Sequence, residues 1–443
     1  MPVSKRNLVA PGRRAVIVGG ARTPFVKAFG DYLALDSIAL GAAAVRGLCQ
    51  RLALAPGAVD AVVWSGVILP GGAPNVGREI VLDLKLGASV EAMTVTRACA
   101  SGLQAVTLAA AAIERGEADV VIAGGSESTS NTEVKLPQKL VQAAVPFAFG
   151  KATPAAFLTL LRQCWPLSEA LPRAPKVAER STGQVMGEAA EQMARANAIS
   201  RARQDEFALR SHQRAARAVA SGRFAREIVP IEVSRNGDTR TIDKDGLIRP
   251  DTTSAKLARL APAFAAGGSV TAGNSSPLTD GAAAVLLMSE EKAAALGLRA
   301  LARFASWAYV GVDPSDQLLI GPALALPLAL ERAGYELAQI DLVDLHEAFA
   351  AQVLSVVQAL ADPSFARARL ARETPVGAIS TDRLNVHGGS LALGHPFAAT
   401  GARMVTTMAN ELAETGKRTA LLGLCAAGGL GAAALLENAA LTP

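Results

Sequence analysis

Cys99 is the residue of this sequence best placed to act as a nucleophile. A strand-like run, Thr94–Thr96, ends shortly before it, and apolar residues at helical spacing run from Gly102 to a terminating glycine at Gly116. Small neighbours leave room for a substrate, and the unpaired N–H groups at a helix start favour a thiolate over a thiol. From this stretch alone, a nucleophilic cysteine and a buried structural cysteine both remain open.

Two histidines and a second cysteine stand at the ends of other predicted elements. His346 follows a strand-like run, and His395 precedes the helical run that begins at Gly401. Cys425 lies near the end of a long apolar run. An imidazole can keep a nearby cysteine ionised while N–H donors hold a developing oxyanion, which is what acyl transfer requires. The alternatives are an ordinary core cysteine at Cys425 and a core histidine at His346.

The other cysteines and histidines predict no metal site. Cys49 and Cys164 are remote in sequence and no CxxC pair exists, which argues against a zinc ribbon and against a secreted disulfide framework. A reducing, cytoplasmic location is therefore expected. His387 is interpreted as structural, and His212 as a surface residue of an amphipathic helix.

Composition and charge narrow the class of protein. Half of the 443 residues are hydrophobic and only 4% are aromatic, as expected of a globular α/β protein with an alanine-rich core. The net charge of +5 comes without aromatic-interleaved basic runs, so no nucleic-acid partner is expected. The basic residues of the first 20 positions predict a tail that enters the first strand; a weak organellar presequence is the alternative. The uncharged stretch Thr419–Leu436 predicts a buried hairpin rather than a membrane span.

An internal repeat divides the chain into two similar halves. The helical run Gly102–Gly116 leads into a strand at Asp119–Ala123, and the run Gly401–Gly416 leads into a strand at Thr419–Leu424. Further upstream, Asp60 and Asp341 occupy equivalent positions. Each half is expected to form a mostly parallel sheet covered by helices.

The repeat also predicts how the domains and the site are arranged. The first half comprises residues 1–130, completed by 259–290, and the second half comprises 291–443. An inserted loop domain, 131–258, separates them. If the halves pack as a pseudo-dimer, the loop at His395–Ala399 lies opposite Cys99.

These motifs together resemble the thiolase family over nearly the whole chain. The resemblance implies the thiolase fold: two βαβαβαββ halves in a five-layer αβαβα arrangement with an inserted loop domain. The matching stretches are Cys99-Ala-Ser-Gly102, Thr271-Ala-Gly-Asn-Ser-Ser276, Asp280-Gly-Ala-Ala283, His346-Glu-Ala-Phe349, Gly394-His-Pro396, Thr400-Gly401 and Cys425-Ala-Ala-Gly-Gly429.

The second-half histidine motif is typical of a subset of the family. Most thiolases carry asparagine where this chain has His346, whereas His-Glu-Ala-Phe resembles the thiolase subunits of trifunctional fatty-acid oxidation complexes. The resemblance implies a 3-ketoacyl-CoA thiolase of β-oxidation, with the biosynthetic acetoacetyl-CoA thiolase reaction as the alternative. It also implies a homodimer or dimer of dimers and a hydratase/dehydrogenase partner subunit. A non-catalytic scaffold is disfavoured because Cys99 and His395 are both present, and a condensing enzyme would lack Cys425.

Roles for individual residues follow from the same resemblance. Cys99 is the expected nucleophile, His395 its base, and Cys425 the acid that protonates the leaving enolate. His395 with His346 would form one oxyanion site. The backbone N–H groups of Cys99 and Ala427 would form the other.

For the substrate, the resemblance points to coenzyme A, with no permanently bound cofactor. It also implies that the inserted loop domain, 131–258, contributes to binding CoA and the acyl chain. Arg249 would lie near the nucleotide, Ser276 near the pantetheine amides, and Met186 in the pocket. Most thiolases have a histidine beside Met186, where this chain has Val185, so that polar contact is not expected.

The segment 131–180 has a composition of its own. It carries seven basic and three acidic residues, many prolines and several apolar runs. This pattern predicts a membrane-surface element, a docking face for a partner subunit, or a lid over the acyl tunnel.

Overall fold

The computed structural model describes residues 12–55, 57–134, 136–166, 170–171, 178–235 and 237–441. The basic residues Lys5 and Arg6 of the expected N-terminal tail lie outside this range. The strands of the described residues are β1 (Ala15–Arg22), β2 (Val26–Lys27), β3 (Ala61–Ser65), β4 (Glu91–Val95), β5 (Val120–Glu127), β6 (Ile231–Arg235), β7 (Asp238–Ile242), β8 (Thr279–Ser289), β9 (Ala302–Gly311), β10 (Leu342–Leu345), β11 (Thr419–Ala426) and β12 (Leu430–Asn438).

Helices connect and cover these strands. They are α1 (Ser37–Arg51), α2 (Val76–Asp83), α3 (Ser101–Glu114), α4 (Gln138–Ala148), α5 (Pro154–Gln163), α6 (Met186–Ala196), α7 (Arg201–Ala220), α8 (Ser254–Ala258), α9 (Glu290–Ala295), α10 (Pro322–Ala333), α11 (Ala350–Ala361), α12 (Pro363–Leu370), α13 (Ser390–Leu393) and α14 (Phe397–Thr415). In the described part of the chain, no helix combines the length and apolar character needed to cross a membrane.

Ten of these strands form one mixed sheet in the order β10-β11-β12-β9-β1-β8-β5-β3-β4, with β2 beside β8, and β6 and β7 pair separately. The expectation of mostly parallel half-sheets was wrong. Among the described strands, only the pairs β3–β4, β3–β5 and β10–β11 are parallel. β12 runs antiparallel to β11 because a turn of three residues joins them, too short for the crossover that parallel strands need. This hairpin accounts for the uncharged stretch Thr419–Leu436.

The layers follow from the alternation of side chains along each strand. Ile17 and Leu422 face inward and share one core with α3 and α14. Val16, the neighbour of Ile17, faces α1 and α2. Leu421, the neighbour of Leu422, faces α10 and α11. Helices therefore cover both half-sheets outside and fill the space between them, which is the expected five-layer αβαβα arrangement.

The internal repeat is visible in matching hydrogen bonds. The Asp60 carboxylate accepts from the backbone N–H groups of Asp119 and Val120, at 2.8 and 2.9 Å. In the second half, Asp341 accepts in the same way from Arg418 and Thr419, at 2.8 and 3.1 Å. Each aspartate thus fixes the register at which a returning strand enters its half-sheet.

Several local predictions hold and others need adjustment. The sequence predicts a helix cap at Ser200 and a helix end at Gly222; Ser200 caps α7, and Gly222 follows its end with a φ of 72°. The amphipathic helical region that the sequence predicts over 188–222 consists of α6 and α7. The sequence also predicts a hairpin that turns at Asn236 and Gly237; β6 and β7 form it, and Asn236 lies outside the described residues. The first strand is expected to end at the pair Gly19 and Gly20, but β1 continues through both to Arg22.

Candidate active site

The loop that carries Cys99 is held in a strained conformation. β4 ends at Val95, and Ala98 has a φ of 46°, which residues with a side chain rarely adopt. The Ser101 hydroxyl holds this loop closed, since it accepts from the Arg97 N–H and donates to the Ala98 carbonyl, both at 2.6 Å. Strain maintained by surrounding contacts is typical of functional sites. It turns Cys99 toward the gap between the two halves.

The two halves meet at a pair of glycines. A Cβ on Gly102 of α3 would lie 2.4 Å from the Ala398 carbonyl, and one on Gly401 of α14 would lie 2.3 Å from the Leu103 nitrogen. Only glycine therefore allows these helix starts to come so close. The crossing brings the loop before α14, which holds His395, against the Cys99 loop.

His395 is oriented through both its ring and its backbone. Its ring Nδ1 is 2.7 Å from the hydroxyl of Thr400, which lies one turn into α14. Its backbone N–H donates to the Thr279 hydroxyl at 3.0 Å. The ring packs edge-on against Phe397. Its Nε2 is buried and has no hydrogen-bond partner among the residues that the structure describes. That nitrogen is the one left to act on a substrate or on the Cys99 sulfur.

His346 approaches the same point from β10. Its N–H donates to the Gly423 carbonyl at 2.8 Å, and its Nδ1 is 3.0 Å from the Ser390 hydroxyl. Its Nε2 is likewise buried, and no described residue forms a hydrogen bond with it. The rings of His346 and His395 are 4.1 Å apart at their centroids. One nitrogen of each ring and the Cys99 sulfur all lie within 4.8 Å of one another.

Glu347 supports the His346 loop from behind. This buried carboxylate accepts from the Ser211 hydroxyl at 2.6 Å, the Asn385 amide at 2.7 Å and the Leu391 N–H at 3.2 Å. The Asn385 side-chain amide also donates to the Leu345 carbonyl, and its oxygen accepts from the Leu345 N–H. The histidine loop is therefore tied to the segment that leads into Ser390.

The environment of Cys99 corrects the expectation that it rests as a thiolate. Burial of its sulfur raises the pKa of Cys99 to about 12, although the Ala427 N–H, which points at the sulfur, lowers it. The dipole of α3 does little to lower the pKa of Cys99, because α3 begins only at Ser101, after Ala100. Burial thus outweighs the helix dipole.

The two histidines are neutral for the same reason. Burial, aided by the positive charge of Arg403, lowers the pKa of His395 to about 3. Burial and the neighbouring His395 hold the pKa of His346 well below its usual value. Arg403 lies on α14 and pairs at 3.4 Å with Asp344, two residues before His346. The resting site therefore contains a neutral thiol and two neutral imidazoles.

Cys425 and Ala427 lie at the far wall of the site. Cys425 is near the end of β11 and is buried, and burial with the neighbouring Cys99 raises its pKa well above the ordinary value. A neutral thiol at this place can donate a proton. Ala427 opens the turn to β12, in which Gly428 and Gly429 have φ values of 83° and 66°.

The three residues predicted to contact CoA differ in their surroundings, and their role stays a prediction. Met186 begins α6 and packs against the second-half core. Ser276 donates its N–H to the Ala348 carbonyl at 2.9 Å. Arg249 is exposed, and its N–H donates to His212 at 3.2 Å.

The remaining histidines have structural partners. His212 is buried, so the prediction that it lies on the surface was wrong. Its side of the helix faces the segment around Arg249, and its Nδ1 accepts a hydrogen bond from the Arg249 N–H. Burial lowers the pKa of His212 to about 4. His387 lies 2.6 Å from Glu411, in agreement with a structural role.

Some contributors to the site were missed from the sequence. Ser390 and Thr400 orient the two histidines, and the buried carboxyl of Glu127 accepts from Ile68 and Ala398 across the two halves. Ser390 and Thr400 each stand five residues from His395. That spacing is the one signal in the sequence, but serine and threonine are common near helix starts and so do not stand out there.

Family comparisons agree with this geometry. The model of the thiolase N-terminal domain matches residues 15–291, and that of the C-terminal domain matches residues 298–438. The chain belongs to the thiolase family. Its family members include the 3-ketoacyl-CoA thiolases of Yersinia enterocolitica and Yersinia pestis, each 45% identical over 96% of this chain and 97% of the relative.

Solved thiolase structures show the same fold. The acetyl-CoA acetyltransferase of Bacillus anthracis superposes with a TM-score of 0.82 at 32% identity, covering 98% of this chain and 100% of the other. Human mitochondrial 3-ketoacyl-CoA thiolase gives the same TM-score and coverage at 30% identity. Both the sheet order and the central helix pair thus belong to a known thiolase architecture.

Proposed function

We propose that this thiolase is a 3-ketoacyl-CoA thiolase that cleaves 3-ketoacyl-CoA with CoA to acetyl-CoA and a shortened acyl-CoA. The observation that carries the proposal is the convergence of the Cys99 sulfur with one nitrogen each of His346 and His395, all within 4.8 Å. The Yersinia relatives of that name support the same reaction. The set contains a nucleophile, a base and hydrogen-bond donors, as two successive acyl transfers need.

In the first step, His395 takes the proton of Cys99 as its sulfur attacks the 3-keto carbon. Thiol and imidazole are both neutral at rest, so the attack requires transfer of the Cys99 proton to His395. The bond between the α and β carbons then breaks, and its electron pair goes to the acetyl-CoA enolate. Cys425 donates its proton to the α carbon of that enolate, leaving an acyl group on Cys99.

In the second step, the CoA thiol gives its proton to the Cys425 thiolate left by the first step, and its sulfur attacks the thioester on Cys99. The C–S bond to Cys99 breaks, the acyl group leaves as acyl-CoA, and His395 returns its proton to the Cys99 sulfur, which restores the thiol. The N–H groups of Cys99 and Ala427 hold the oxyanion of the acyl carbonyl. The unpartnered ring nitrogens of His395 and His346 hold the oxygen of the enolate.

The direction of the reaction and the chain length remain to be measured, and the alternative is biosynthetic condensation of two acetyl-CoA molecules. The same residues serve both directions, so substrate length is the useful discriminator. Thiolysis is measured from acetoacetyl-CoA to 3-ketopalmitoyl-CoA, with Cys99→Ala in parallel. Activity on the longer substrates is expected; activity on acetoacetyl-CoA alone favours the biosynthetic alternative, and retained thiolysis in Cys99→Ala refutes the mechanism.

For CoA, binding is assigned to Arg249, Ser276 and Met186, without a permanently bound cofactor. The exposed guanidinium of Arg249 suits the nucleotide phosphates, and Ser276 is partly exposed beside the Ala348 loop. Arg249→Ala is expected to raise the KM for CoA several-fold with little change in kcat. An unchanged KM would remove Arg249 from the binding site.

The proposal also includes assembly as a homodimer and a location in the cytoplasm. β4 is the last strand of the sheet, and its residue Met93 is 43% exposed at that edge, close to the Cys99 loop. An unprotected edge of this kind favours pairing with a second copy. Light scattering of the purified protein tests the dimer, and Met93→Lys is expected to weaken it.

The helices α4 and α5 are assigned to contact with an anionic membrane surface. Neither contains a buried residue, and Phe149, Phe157 and Leu161 are each more than half exposed. Lys151 and Arg162 of the same segment are exposed as well, and exposed apolar and basic residues together are typical of interfacial helices. Lys135 of the same segment lies outside the described residues.

Liposome flotation distinguishes this assignment from the alternatives. Binding that requires anionic lipid and is lost in a Phe149→Ser, Phe157→Ser, Lys151→Glu variant is expected. No flotation with the wild type would exclude the membrane contact. In that case the surface is left for a hydratase/dehydrogenase subunit or for a lid over the acyl tunnel.

A further inference from the structure

The turn that carries the Ala427 N–H is built from intrinsically mobile residues. Ala426 and Leu430 are the last paired residues of the β11–β12 hairpin, and Gly428 and Gly429 lie between them in left-handed conformations. Two successive glycines have more conformational freedom than any other pair. Contacts from outside the hairpin must therefore keep the Ala427 N–H directed at the Cys99 sulfur.

Two such contacts exist in the described structure. The Gly429 carbonyl accepts from the Val312 N–H at 2.6 Å, on the side of β9. On the other side, the Gly428 N–H donates to the Glu179 carboxylate at 2.8 Å. Adjacent N–H groups thus have separate partners: that of Ala427 points at the nucleophile, and that of Gly428 is held by a carboxylate from the inserted domain.

Glu179 is itself held in place by a small turn. Its second carboxylate oxygen accepts from the Ser181 hydroxyl at 3.0 Å and from the Ser181 N–H at 3.3 Å. Its backbone bonds to Gln184 and Gly183 close the turn, at 2.8 Å each. Met186 and α6 follow directly. The turn therefore connects the helix assigned to the substrate pocket with the hairpin that donates to the acyl oxyanion.

Glu179 is charged at neutral pH. Burial alone would raise the pKa of its carboxyl. Hydrogen bonds from the Ser181 hydroxyl and from the backbone N–H groups of Ser181, Gly428 and Arg180 lower that pKa. Hydrogen bonds to an ionised acceptor are stronger than those between neutral groups. A carboxylate is thus a better anchor for the Gly428 N–H than water or a neutral side chain.

We propose that Glu179 is a positioning residue for catalysis, because its carboxylate holds Gly428 and so keeps the Ala427 N–H directed at the acyl oxyanion on Cys99. This inference rests on the proposed thiolase function. It assigns the inserted domain a part in the chemistry besides substrate binding. A misplaced oxyanion donor affects the reaction more than the binding of substrate, because the oxyanion exists only during the reaction.

The test compares Glu179→Ala and Glu179→Gln in the full chain, by thiolysis kinetics and by the pH profile of Cys99 alkylation with iodoacetamide. Glu179→Ala is expected to lower kcat about tenfold while the KM for 3-ketoacyl-CoA changes little. Its alkylation profile is expected to move to higher pH, because the Ala427 N–H no longer stabilises the thiolate. Glu179→Gln keeps a carbonyl acceptor and is expected to recover most of kcat.

Two controls separate positioning from general loosening. Arg180→Ala changes an exposed neighbour. Glu188→Ala removes the bond to the Val185 N–H at the other end of the same turn without contact to Gly428. The proposal is overturned if Glu179→Ala matches the wild type in kcat and alkylation profile, or if Glu188→Ala is equally impaired. A wild-type protein that does not cleave 3-ketoacyl-CoA refutes the function, and the alkylation profiles then decide on Glu179 alone.

Discussion

Gly102 and Gly401 lie against each other where α3 crosses α14, and a Cβ on either glycine would come within 2.4 Å of backbone in the opposite half. This contact sets the distance between the loops of Cys99 and His395. Its two glycines occupy equivalent places in the internal repeat. The geometry of the site therefore depends on the packing of two helix starts as much as on the reactive residues.

Substituting either glycine is expected to damage both stability and rate. Gly102→Ala or Gly401→Ala would force the helices apart at a cost of about 1–3 kcal/mol and displace the loop that follows or precedes it. A lower thermal midpoint and a reduced kcat would be measured together. Gly72→Ala is the matched control, because nothing lies within 4 Å of its Cβ position. Wild-type behaviour of Gly102→Ala would show that the crossing is looser than described.

His346 is expected to act through its free Nε2. With Nδ1 held by Ser390, removal of the ring in His346→Ala is expected to lower kcat about 10²-fold. His346→Asn restores an N–H donor and should lose less. Ser390→Ala, which frees the ring without removing it, should fall between wild type and His346→Ala. Equal rates in the alanine and asparagine variants would argue against a hydrogen-bonding role for His346.

Cys425 is expected to be needed for carbon–carbon cleavage and dispensable for acyl exchange. Only the cleavage step forms an enolate that takes a proton, so Cys425→Ala should lower thiolysis by about 10²–10⁴-fold. Exchange of labelled CoA with a saturated acyl-CoA passes through acyl-Cys99 alone and should persist. Parallel loss of both reactions would show that Cys425 supports the structure of the site and not the proton transfer.

The free enzyme is expected to resist alkylation at neutral pH. A thiol is neutral below its pKa, and burial raises that of Cys99 to about 12, so the thiolate fraction grows with pH throughout the usual range. The rate of Cys99 modification by iodoacetamide should therefore rise steadily from about pH 6 to 10. Cys99→Ala measures the background from Cys49 and Cys164. A plateau below about pH 7 would indicate a resting thiolate–imidazolium pair instead.

Much of the fold could be predicted from the sequence because the repeat is encoded in local signals. Glycines at matching intervals and the pair Asp60 and Asp341 identify two equivalent halves without knowledge of any contact. From these halves follows the meeting of Cys99 with the His395 loop, which the structure brings together. The domain boundaries derived in the same way stay predictions.

What the sequence did not reveal depends on distant contacts and on burial. The pKa of Cys99 was misjudged because a dipole can be inferred from a helix start, whereas the degree of burial depends on the whole fold. His212 was assigned to the surface because its helical face is covered by residues far along the chain. Glu179 accepts a hydrogen bond from Gly428 across 249 positions, and no local sequence pattern indicates that hydrogen bond.

Acyl transfer through Cys99 is tested by the intact mass of the enzyme after mixing with 3-ketooctanoyl-CoA in the absence of free CoA. We predict a mass gain equal to the shortened acyl group, located on Cys99 by peptide mapping and lost when CoA is added. Acetyl-CoA should appear in equal amount. No covalent acyl group, or one that maps to Cys425 and persists in Cys99→Ala, would exclude acyl transfer through Cys99.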